Sequence, residues 1–582
     1  MSDKSMLSLL FEESKAYSSL QDIEKLVNDG RALTSIPMQP LYLSIRNSTP
    51  QLVAQLLPRL SREQRTTLLD LDLWKKDDVD LERFQFWPMS YYFCEDEKVR
   101  EEFLSSEHFL LFLKGRFTIS TFDIEDPVYP EHDFYFLTED RQLLLEYDKT
   151  FPYPDELQEM VKQLYTVMGV ENAYAFLFKM VVDGYLNIQE EQYQRKIARL
   201  REYGFVDYFE GLEIEATFPS QTSIKGFIKN KIGATGRLEV ESRSQALHSS
   251  VISSYKGQLN QIEIELQKIK SEERQDFINF SFIRLVNASL ASTQALFEGS
   301  VAINRIGTKT RSVLSLGHEY VKSYLDELGL LAEPKYKEGL FAQFDFIDIY
   351  RIGNSLIKIV QKKLKKELRG SVFEEEETES FLGLYWCHYL ENSFHELPKY
   401  KTWENSKMAV IDNLRVYESW RFDCFLLSKI IPYITNFWAA FHKLKAEDLV
   451  HDDFYYNYNV SEIDFEAIII SSFINYALGH YEASDSKRMG LTLEEFRSFV
   501  TEFMILVNSQ HEMIGNTEEK LASKLNGFCE KFGFTDVNGF DYYLYKLMDE
   551  HLSGYDFFSL SEPEFKYVGG PILLTNQQDL VC

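Results

Sequence analysis

Glycine, proline and cysteine are scarce in this 582-residue chain, with 27, 15 and 5 residues, respectively. Low glycine and proline contents exclude collagen-like and low-complexity classes and favour long helices over a turn-rich β protein. The five cysteines are far apart and form no C-x-x-C pair, so the sequence indicates neither a disulfide framework nor a zinc knuckle. We expect reduced and mostly buried cysteines.

Long apolar runs are also scarce. The longest, residues 425–441, contains Lys429, Pro432 and Asn436 and falls short of the roughly 20 residues that span a bilayer. It predicts a buried core helix kinked at Pro432. The first residues combine a short apolar run with acidic flanks, unlike a signal peptide. We therefore expect no transmembrane segment and a soluble, cytoplasmic protein.

Basic charge is in deficit, since 62 Lys and Arg residues face 91 Asp and Glu residues and the net charge is −29. The deficit is uneven. Residues 1–160 hold 17 basic and 31 acidic side chains, residues 161–450 hold 37 and 38, and residues 451–582 hold 8 and 22. The acid thus lies at the two ends of the sequence, which indicates distinct modules.

Apolar residues recur at helical spacing over most of the chain, which predicts a mainly α, multi-helical and partly solenoid-like fold. Thr49 to Trp74 predicts a pair of short antiparallel helices, with Ser61 and Gln64 as a capping box. Thr492 and Glu495 predict a second capping box. Helices are expected at 189–203, 259–269, 275–298, 313–328, 344–368, 381–395, 410–442, 463–480, 493–509, 518–532 and 542–552, with loops near 216–240, 369–380, 398–406 and 451–460.

One stretch alternates between apolar and polar residues instead. FTIST at 117–121 has a period of two, and the apolar runs 134–137 and 143–147 flank a polar turn, which predicts a β-hairpin insert near 109–147. Pattern and charge together predict an N-terminal acidic helical domain (1–108), the β insert (109–150), a central charge-balanced helical region (151–370) and a C-terminal acidic helical domain (371–582).

Several segments together resemble an uncharacterised bacterial family catalogued only as a domain of unknown function. They are LLDLDLW (68–74) with Phe84 and Trp87, RKIARLREYGFVDYFEGLEI (195–214), SVLSLG (312–317) with Glu319, IYRIGNSL (349–356) and YVGGPILL (567–574). The resemblance covers nearly the whole chain. It implies a mostly helical protein of this length, with no activity, cofactor or catalytic residue to transfer.

Recognised phosphate-binding loops and nucleophile motifs are missing: the sequence has no G-x-x-x-x-G-K-[ST], no G-x-G-x-x-G and no G-x-S-x-G. The nearest pattern is the G-x-x-G at 233–236, flanked by Lys229, Lys231 and Arg237. Such a loop could present N–H groups and positive charge to a phosphate or an RNA backbone. A flexible linker between two helical blocks is the alternative interpretation.

Three potential metal ligands, His388, Glu391 and His395, fall at i, i+3 and i+7, close to one helical face. The H-E-x-x-H pattern that would make a zinc site specific is absent, so a partly exposed helix face is the better interpretation. We expect no cofactor.

A dense acidic stretch surrounds Trp74. Its carboxylates are Asp70, Asp72, Asp77, Asp78 and Asp80. Hard cations prefer such oxygen ligands, but helix capping and solvation of a helix–helix turn explain the stretch without a metal.

The most basic segment is 351–366, which has no acidic residue. Its basic residues are Arg351, Lys358, Lys362, Lys363, Lys365 and Lys366. Leu356, Val360 and Leu364 recur at helical spacing, so the lysines line the opposite face of an amphipathic helix. This face could meet an anionic membrane, nucleic acid or an acidic partner, or it could be neutralised by Glu374–Glu377.

The leading hypothesis for function is a non-catalytic cytoplasmic scaffold that binds protein partners through helical surfaces. One alternative is a hydrolase or phosphate-handling enzyme whose site between helical blocks matches no known motif. The other is a nucleic-acid or anionic-lipid binder that uses the central basic helix.

Overall fold

Two units make up the chain in the computed structural model, Met1–Asn354 and Ser355–Cys582. The structure describes residues 33–36, 38–46, 48–233, 260–298, 300–332, 339–374, 376–401, 407–448, 450–451, 454–481, 489–567 and 572–575. The fold is mainly α, as predicted, and it contains small antiparallel sheets, of which the sequence predicts only the one near 109–147. The predicted division into four regions remains a prediction.

Helices dominate the first unit. They are α1 (Met38–Arg46), α2 (Pro50–Leu56), α3 (Arg62–Asp72), α4 (Leu81–Phe84), α5 (Phe86–Tyr92), α6 (Glu97–Leu104), α7 (Glu107–Arg116), α8 (Pro154–Met168), α9 (Val170–Val182), α10 (Tyr185–Glu202), α11 (Tyr208–Ile214), α12 (Gln221–Gly233), α13 (Asn260–Leu266), α14 (Glu272–Ser292), α15 (Ser300–Glu327) and α16 (Phe346–Leu368), which continues past the boundary. The strands are β1 (Trp74–Lys75), β2 (Asp78–Val79), β3 (Phe117–Thr121), β4 (Tyr135–Leu137) and β5 (Leu143–Tyr147). Short 3₁₀ turns occupy Leu33–Ser35, Leu57–Arg59, Ala295–Glu298 and Leu340–Ala342.

The predicted hairpin is confirmed and belongs to a three-stranded antiparallel sheet in the order β3–β5–β4. Ile119 pairs with Leu145, which in turn pairs with Phe136. All three side chains are buried. The sheet begins only at Phe117, because residues 107–116 form α7, whose N-terminus is capped by the Ser106 side chain.

The two predicted capping boxes are present. Ser61 Oγ accepts from Gln64 N at 3.1 Å while Gln64 Oε1 accepts from Ser61 N at 3.1 Å, and this pair starts α3. Thr492 and Glu495 form the equivalent pair at the start of a helix in the second unit. Each box depends on residues three apart, so local sequence is sufficient to specify it.

Two helices of the first unit cross at a glycine pair. A Cβ built on Gly317 of α15 would lie 2.1 Å from Ile349 O, and one built on Gly353 of α16 would lie 2.1 Å from Val313 O. Real side chains never approach a backbone oxygen this closely, so only glycine allows the two backbones to meet. The crossing joins the SVLSLG and IYRIGNSL segments.

The loop predicted near 216–240 is wrong for residues 221–233, which form α12. Ser220 caps this helix, since Ser223 N donates to Ser220 Oγ at 3.2 Å. Ile224 and Ile228 are fully buried, one helical turn apart. The G-x-x-G pattern within a basic stretch predicts a loop, but the buried isoleucine pair stabilises a helix.

The second unit is helical with two hairpins. Its helices are α17 (Glu376–Glu379), α18 (Leu384–Phe394), α19 (Leu414–Ala446), α20 (Phe465–Ala477), α21 (Leu493–Phe503), α22 (Glu519–Phe532) and α23 (Phe540–Leu552). Its strands are β6 (Lys399–Lys401), β7 (Met408–Val410), β8 (Met504–Val507) and β9 (Gln510–Met513), and β6 pairs with β7 as β8 pairs with β9. Short 3₁₀ turns occupy Val372–Glu374, Ser380–Leu382, Val460–Glu462, Phe534–Asp536 and Glu562–Tyr567.

The helix predicted over 493–509 is wrong after Phe503, where β8 and β9 follow. Asn508 and Ser509 have φ angles of 49° and 66°. Positive φ at both central residues is what a two-residue type I′ hairpin turn requires, and asparagine tolerates it well. The turn therefore overrides the apolar run that indicated a continuing helix.

Among the described residues, one helix is long and apolar enough by length and composition to cross a membrane. This helix is α19, with 33 residues and Pro432 inside it. Part of it packs within the unit, since Trp420, Leu427 and Ile434 are fully buried. Core helices of soluble proteins pass the same test, so the observation is compatible with the predicted core helix.

Candidate functional site

A buried charge cluster in the first unit is centred on Asp70 of α3, whose side chain is 1% exposed. Its carboxylate accepts from Arg199 Nε at 2.7 Å and from Arg199 Nη2 at 2.8 Å, and it lies 3.0 Å from His108 Nε2. Burial alone would raise the pKa of Asp70, but these hydrogen bonds outweigh burial and lower the pKa. Asp70 therefore connects α3, α7 and α10 through charged groups.

Asp72 forms a second buried cluster on the same helix. It accepts from Tyr42 Oη at 3.0 Å, Arg83 Nε at 2.7 Å and Trp87 Nε1 at 2.8 Å. The interpretation of the acidic stretch as caps and solvated side chains is thus wrong for Asp70 and Asp72, because both are satisfied internally.

The other three carboxylates of the acidic stretch, Asp77, Asp78 and Asp80, do act as caps or solvated side chains. Asp80 caps α4 by accepting from Arg83 N at 3.0 Å, and Asp77 and Asp78 are exposed on the β1–β2 hairpin.

Lys196 of α10 is the most unusual cation near these clusters. It lies between Tyr193 and Leu200 on the buried face of its helix, and its side chain is only 8% exposed. Its Nζ lies 5.0 Å from the ring centre of Trp74, 4.8 Å from that of Tyr193 and 3.8 Å from Asp207 Oδ1. Burial lowers the pKa of Lys196 to about 8, against the opposing influence of Asp207 and Asp70.

Lys196 faces a cavity of about 80 Å³, here called the Lys196 cavity. Its wall is contributed by α3, the β1–β2 hairpin, α10, α11 with the loop before it, and α14 with the turn after it. The polar lining residues are Asp70, Lys76, Lys196, Asp207, Asn287 and Gln294, and the apolar ones include Trp74, Leu200, Phe205 and Leu290.

Three buried polar atoms in the wall of the Lys196 cavity have no hydrogen-bond partner within the described part of the chain. They are Trp74 Nε1, Asp207 Oδ1 and Gln294 Nε2. Asp207 is 8% exposed at its side chain, and its other oxygen, Oδ2, caps α11 by accepting from Phe209 N at 3.1 Å. Proteins rarely bury polar groups without partners, so water or a ligand is expected to complete these contacts.

A second cavity of about 350 Å³ lies against the first, and Trp74 and Gln294 line both. Its other lining residues are Arg46, Asp72, Lys75, Asp80, Arg83, Thr293 and Glu298. Three cations and three carboxylates thus surround the larger cavity, while the smaller one holds Lys196.

A titration of Lys196 tests the environment directly. The folded pKa of about 8 lies below the ordinary 10.5, so the unfolded chain binds the proton more tightly. The contribution of Lys196 to stability therefore improves as pH rises from about 8 to about 10.5. We expect one lysine resonance in ¹³C-lysine NMR to titrate near pH 8 and to vanish in Lys196→Arg. A Lys196 resonance that titrates with the exposed lysines would contradict this expectation.

Sequence reasoning missed Lys196 and Asp207. A lysine on a helix is ordinarily solvated, and only its place between Tyr193 and Leu200 could have indicated a buried face. Asp207 followed by an apolar run is an ordinary N-cap signal, and it gives no indication of the cavity.

The basic helix predicted at 351–366 is confirmed as part of α16, but its cations differ in environment. Arg351 Nε donates to Ala216 O at 3.2 Å, Lys358 Nζ donates to Gln361 Oε1 at 2.9 Å, and Lys363 lies over the Phe425 ring. The exposed members are Lys362, Lys365 and Lys366. Binding of an anionic partner by this helix remains a prediction.

The basic residues of the G-x-x-G segment do not form a loop site in the described part. Lys229 is exposed on α12, and Lys231 Nζ lies 2.7 Å from Asp348 Oδ2. Arg237 lies outside the described residues. The helix therefore replaces the predicted loop up to Gly233.

His388 and Glu391 line a cavity of about 330 Å³ in the second unit, whereas His395 is the exposed residue after α18 and does not line it. Across the described residues, no three His, Cys, Asp or Glu side chains are grouped to hold a metal ion. The structure therefore brings two of these three candidates together.

Two of the segments that carry the family resemblance meet in space. LLDLDLW supplies Asp70 and Trp74, and the 195–214 segment supplies Lys196, Arg199 and Asp207. No curated protein and no solved structure matches the chain. The model of a family of unknown function, DUF6178, matches residues 19–419, more than half of the chain, and this range includes the Lys196 cavity. The chain belongs to the family of unknown function DUF6178.

Proposed function

We propose that this protein binds a small polar metabolite in the Lys196 cavity. The observation that carries the proposal is the convergence of a buried ammonium and three unpartnered polar atoms on one cavity. Trp74 Nε1, Gln294 Nε2 and Lys196 Nζ are donors, whereas Asp207 Oδ1 is an acceptor. The matching ligand carries a carboxylate or carbonyl oxygen together with a hydroxyl or ammonium group.

Water molecules alone could satisfy the unpartnered polar atoms, because a cavity needs only about 10–15 Å³ of accessible volume to hold a water molecule. Water does not explain why a lysine is buried there. Burying a charge costs free energy, and Lys196 lies at 3.8 Å from its nearest carboxylate, beyond hydrogen-bond distance. Perturbed lysines in cavities are concentrated at functional sites.

Removing single polar atoms from the cavity tests the proposal. Binding of lactate, glyoxylate, pyruvate and serine is measured by ligand-observed NMR on wild type, Asp207→Asn and Trp74→Phe. We expect at least one probe to bind wild type and each variant to lose about tenfold in affinity, because each loses one hydrogen bond to the ligand. Asparagine preserves the cap of α11, and phenylalanine preserves the aromatic wall.

Lys225→Met is the matched control, since Lys225 is a half-exposed lysine of the same unit that lies over Tyr324 and 3.9 Å from Glu327. Affinity in Lys225→Met should equal that of wild type. Absence of binding by every probe, or equal affinity in all variants, would contradict the proposal.

The role predicted from the sequence, a cytoplasmic scaffold for protein partners, remains a prediction. The feature that supports it is an apolar surface at the junction of α9 and α10, where Val182 is 67% exposed and Leu186 is 75% exposed. Exposed apolar side chains of this kind favour protein contacts when they cluster. The phosphate-handling and anionic-surface alternatives stay predictions as well.

A further inference from the structure

We propose that Lys196 forms a covalent Schiff base with a small 2-oxo acid bound in the Lys196 cavity. The inference rests on the proposed function, because it names the chemistry of the ligand at the same site. A 2-oxo acid presents a carboxylate, which suits the unpartnered Trp74 and Gln294 donors, and an adjacent carbonyl carbon, which an amine can attack.

The position of Lys196 argues against a purely structural cation. Elsewhere in the first unit, Lys231 Nζ lies 2.7 Å from Asp348 Oδ2, in direct hydrogen-bond contact. Lys196 Nζ lies 3.8 Å from Asp207 Oδ1, and that oxygen has no hydrogen-bond partner within the described residues. Lys196 and Asp207 both line the cavity, so a group bound there could contact both side chains.

Two buried aromatic rings beside Lys196 shield its ammonium group from solvent. Trp74 is 4% exposed and Tyr193 is 7% exposed, and both rings lie about 5 Å from Lys196 Nζ. Burial among them lowers the pKa of Lys196 to about 8, so the neutral amine is accessible near neutral pH. Only the neutral amine has the lone pair that attacks a carbonyl.

The step balances without any co-reactant. Asp207 Oδ1 takes one proton from the Lys196 ammonium, and the freed lone pair forms the C–N bond while the carbonyl π electrons move to oxygen. That oxygen takes a proton from nitrogen to give a carbinolamine. The C–O bond then breaks, and the hydroxyl leaves as water with the proton returned by Asp207. The ammonium and the carbonyl compound have become a protonated imine and one water molecule.

Reductive trapping of the full chain tests the inference. The protein is incubated with pyruvate or glyoxylate and sodium cyanoborohydride near pH 7.5, and the modified lysines are identified by peptide mass spectrometry. We expect one dominant adduct, on Lys196, formed far faster than on exposed Lys362, Lys365 or Lys366. Those three lysines are exposed and lie outside the Lys196 cavity, so they lack a bound carbonyl compound beside the amine.

Substitutions test whether Asp207 transfers the proton during adduct formation or only maintains the local structure. Asp207→Asn should slow the Lys196 adduct by about 10²-fold, because it removes the group that moves the proton. Lys225→Arg should leave the adduct unchanged. Lys196→Arg should abolish the adduct while circular dichroism shows retained helical content.

The outcomes distinguish this inference from the proposed function. Probe binding by NMR without an adduct on Lys196 overturns the Schiff base and leaves the binding site standing. An adduct spread evenly over many lysines also overturns it. Absence of both binding and adduct overturns the Schiff base and the proposed binding site together.

Discussion

Asp70→Asn is expected to lower the free energy of unfolding of the first unit by about 3–5 kcal/mol, the range for removing one partner of a buried ion pair. The substitution preserves shape but leaves Arg199 and His108 without the carboxylate that both contact. Hydrogen exchange of the full chain, followed by mass spectrometry over α7 and α10, measures the change in the unit that contains the cluster.

The control for Asp70→Asn is a substitution in an exposed ion pair on α10, the helix that carries Arg199. Glu191 and Arg195 form an exposed i,i+4 pair on that helix, and Glu191→Gln should change the same exchange free energy by less than about 0.5 kcal/mol. Because the pKa of Asp70 is lowered in the folded state, the stability of the first unit depends on pH. The stabilisation is present at neutral pH and is lost as pH falls below about 4, through the folded pKa. Equal effects of Asp70→Asn and Glu191→Gln would refute the role of the cluster.

Gly317→Ala is expected to destabilise the first unit by about 3 kcal/mol or more, at the upper end of overpacking effects. Its added methyl group would lie 2.1 Å from Ile349 O and 3.0 Å from Gly353 N, and backbone atoms cannot rotate away as a flexible side chain can. The helices must separate, and contacts on both sides of the crossing are lost. Thermal unfolding and hydrogen exchange over α15 measure this loss.

The same helix contains its own control. Gly307 of α15 would place a Cβ in open space, with no heavy atom within 4 Å. Gly307→Ala should therefore stabilise the helix by about 0.5–1 kcal/mol, because alanine restricts the unfolded chain and favours helix. If Gly317→Ala is tolerated as well as Gly307→Ala, the close backbone approach does not hold in solution.

Features that depend on neighbours in sequence could be predicted, and features that depend on distant partners could not. Both capping boxes and the β4–β5 hairpin follow from residues a few positions apart. The sequence predicts capping or solvation for Asp70, because its partner Arg199 is 129 residues away and nothing near Asp70 indicates that cation. The Lys196 cavity could not be predicted for the same reason, since five elements that are separate in sequence supply its wall.

Trp74 has a consequence for the energetics of the first unit, because it lines both of the cavities described there. A molecule that shifts this indole on one side changes the shape of the space on the other. Such a shift links the two occupancies by a coupling free energy that is reciprocal: whatever factor one occupant imposes on the affinity of the second, the second imposes on the first. Two occupants that both displace Trp74 would therefore affect each other's affinity without touching.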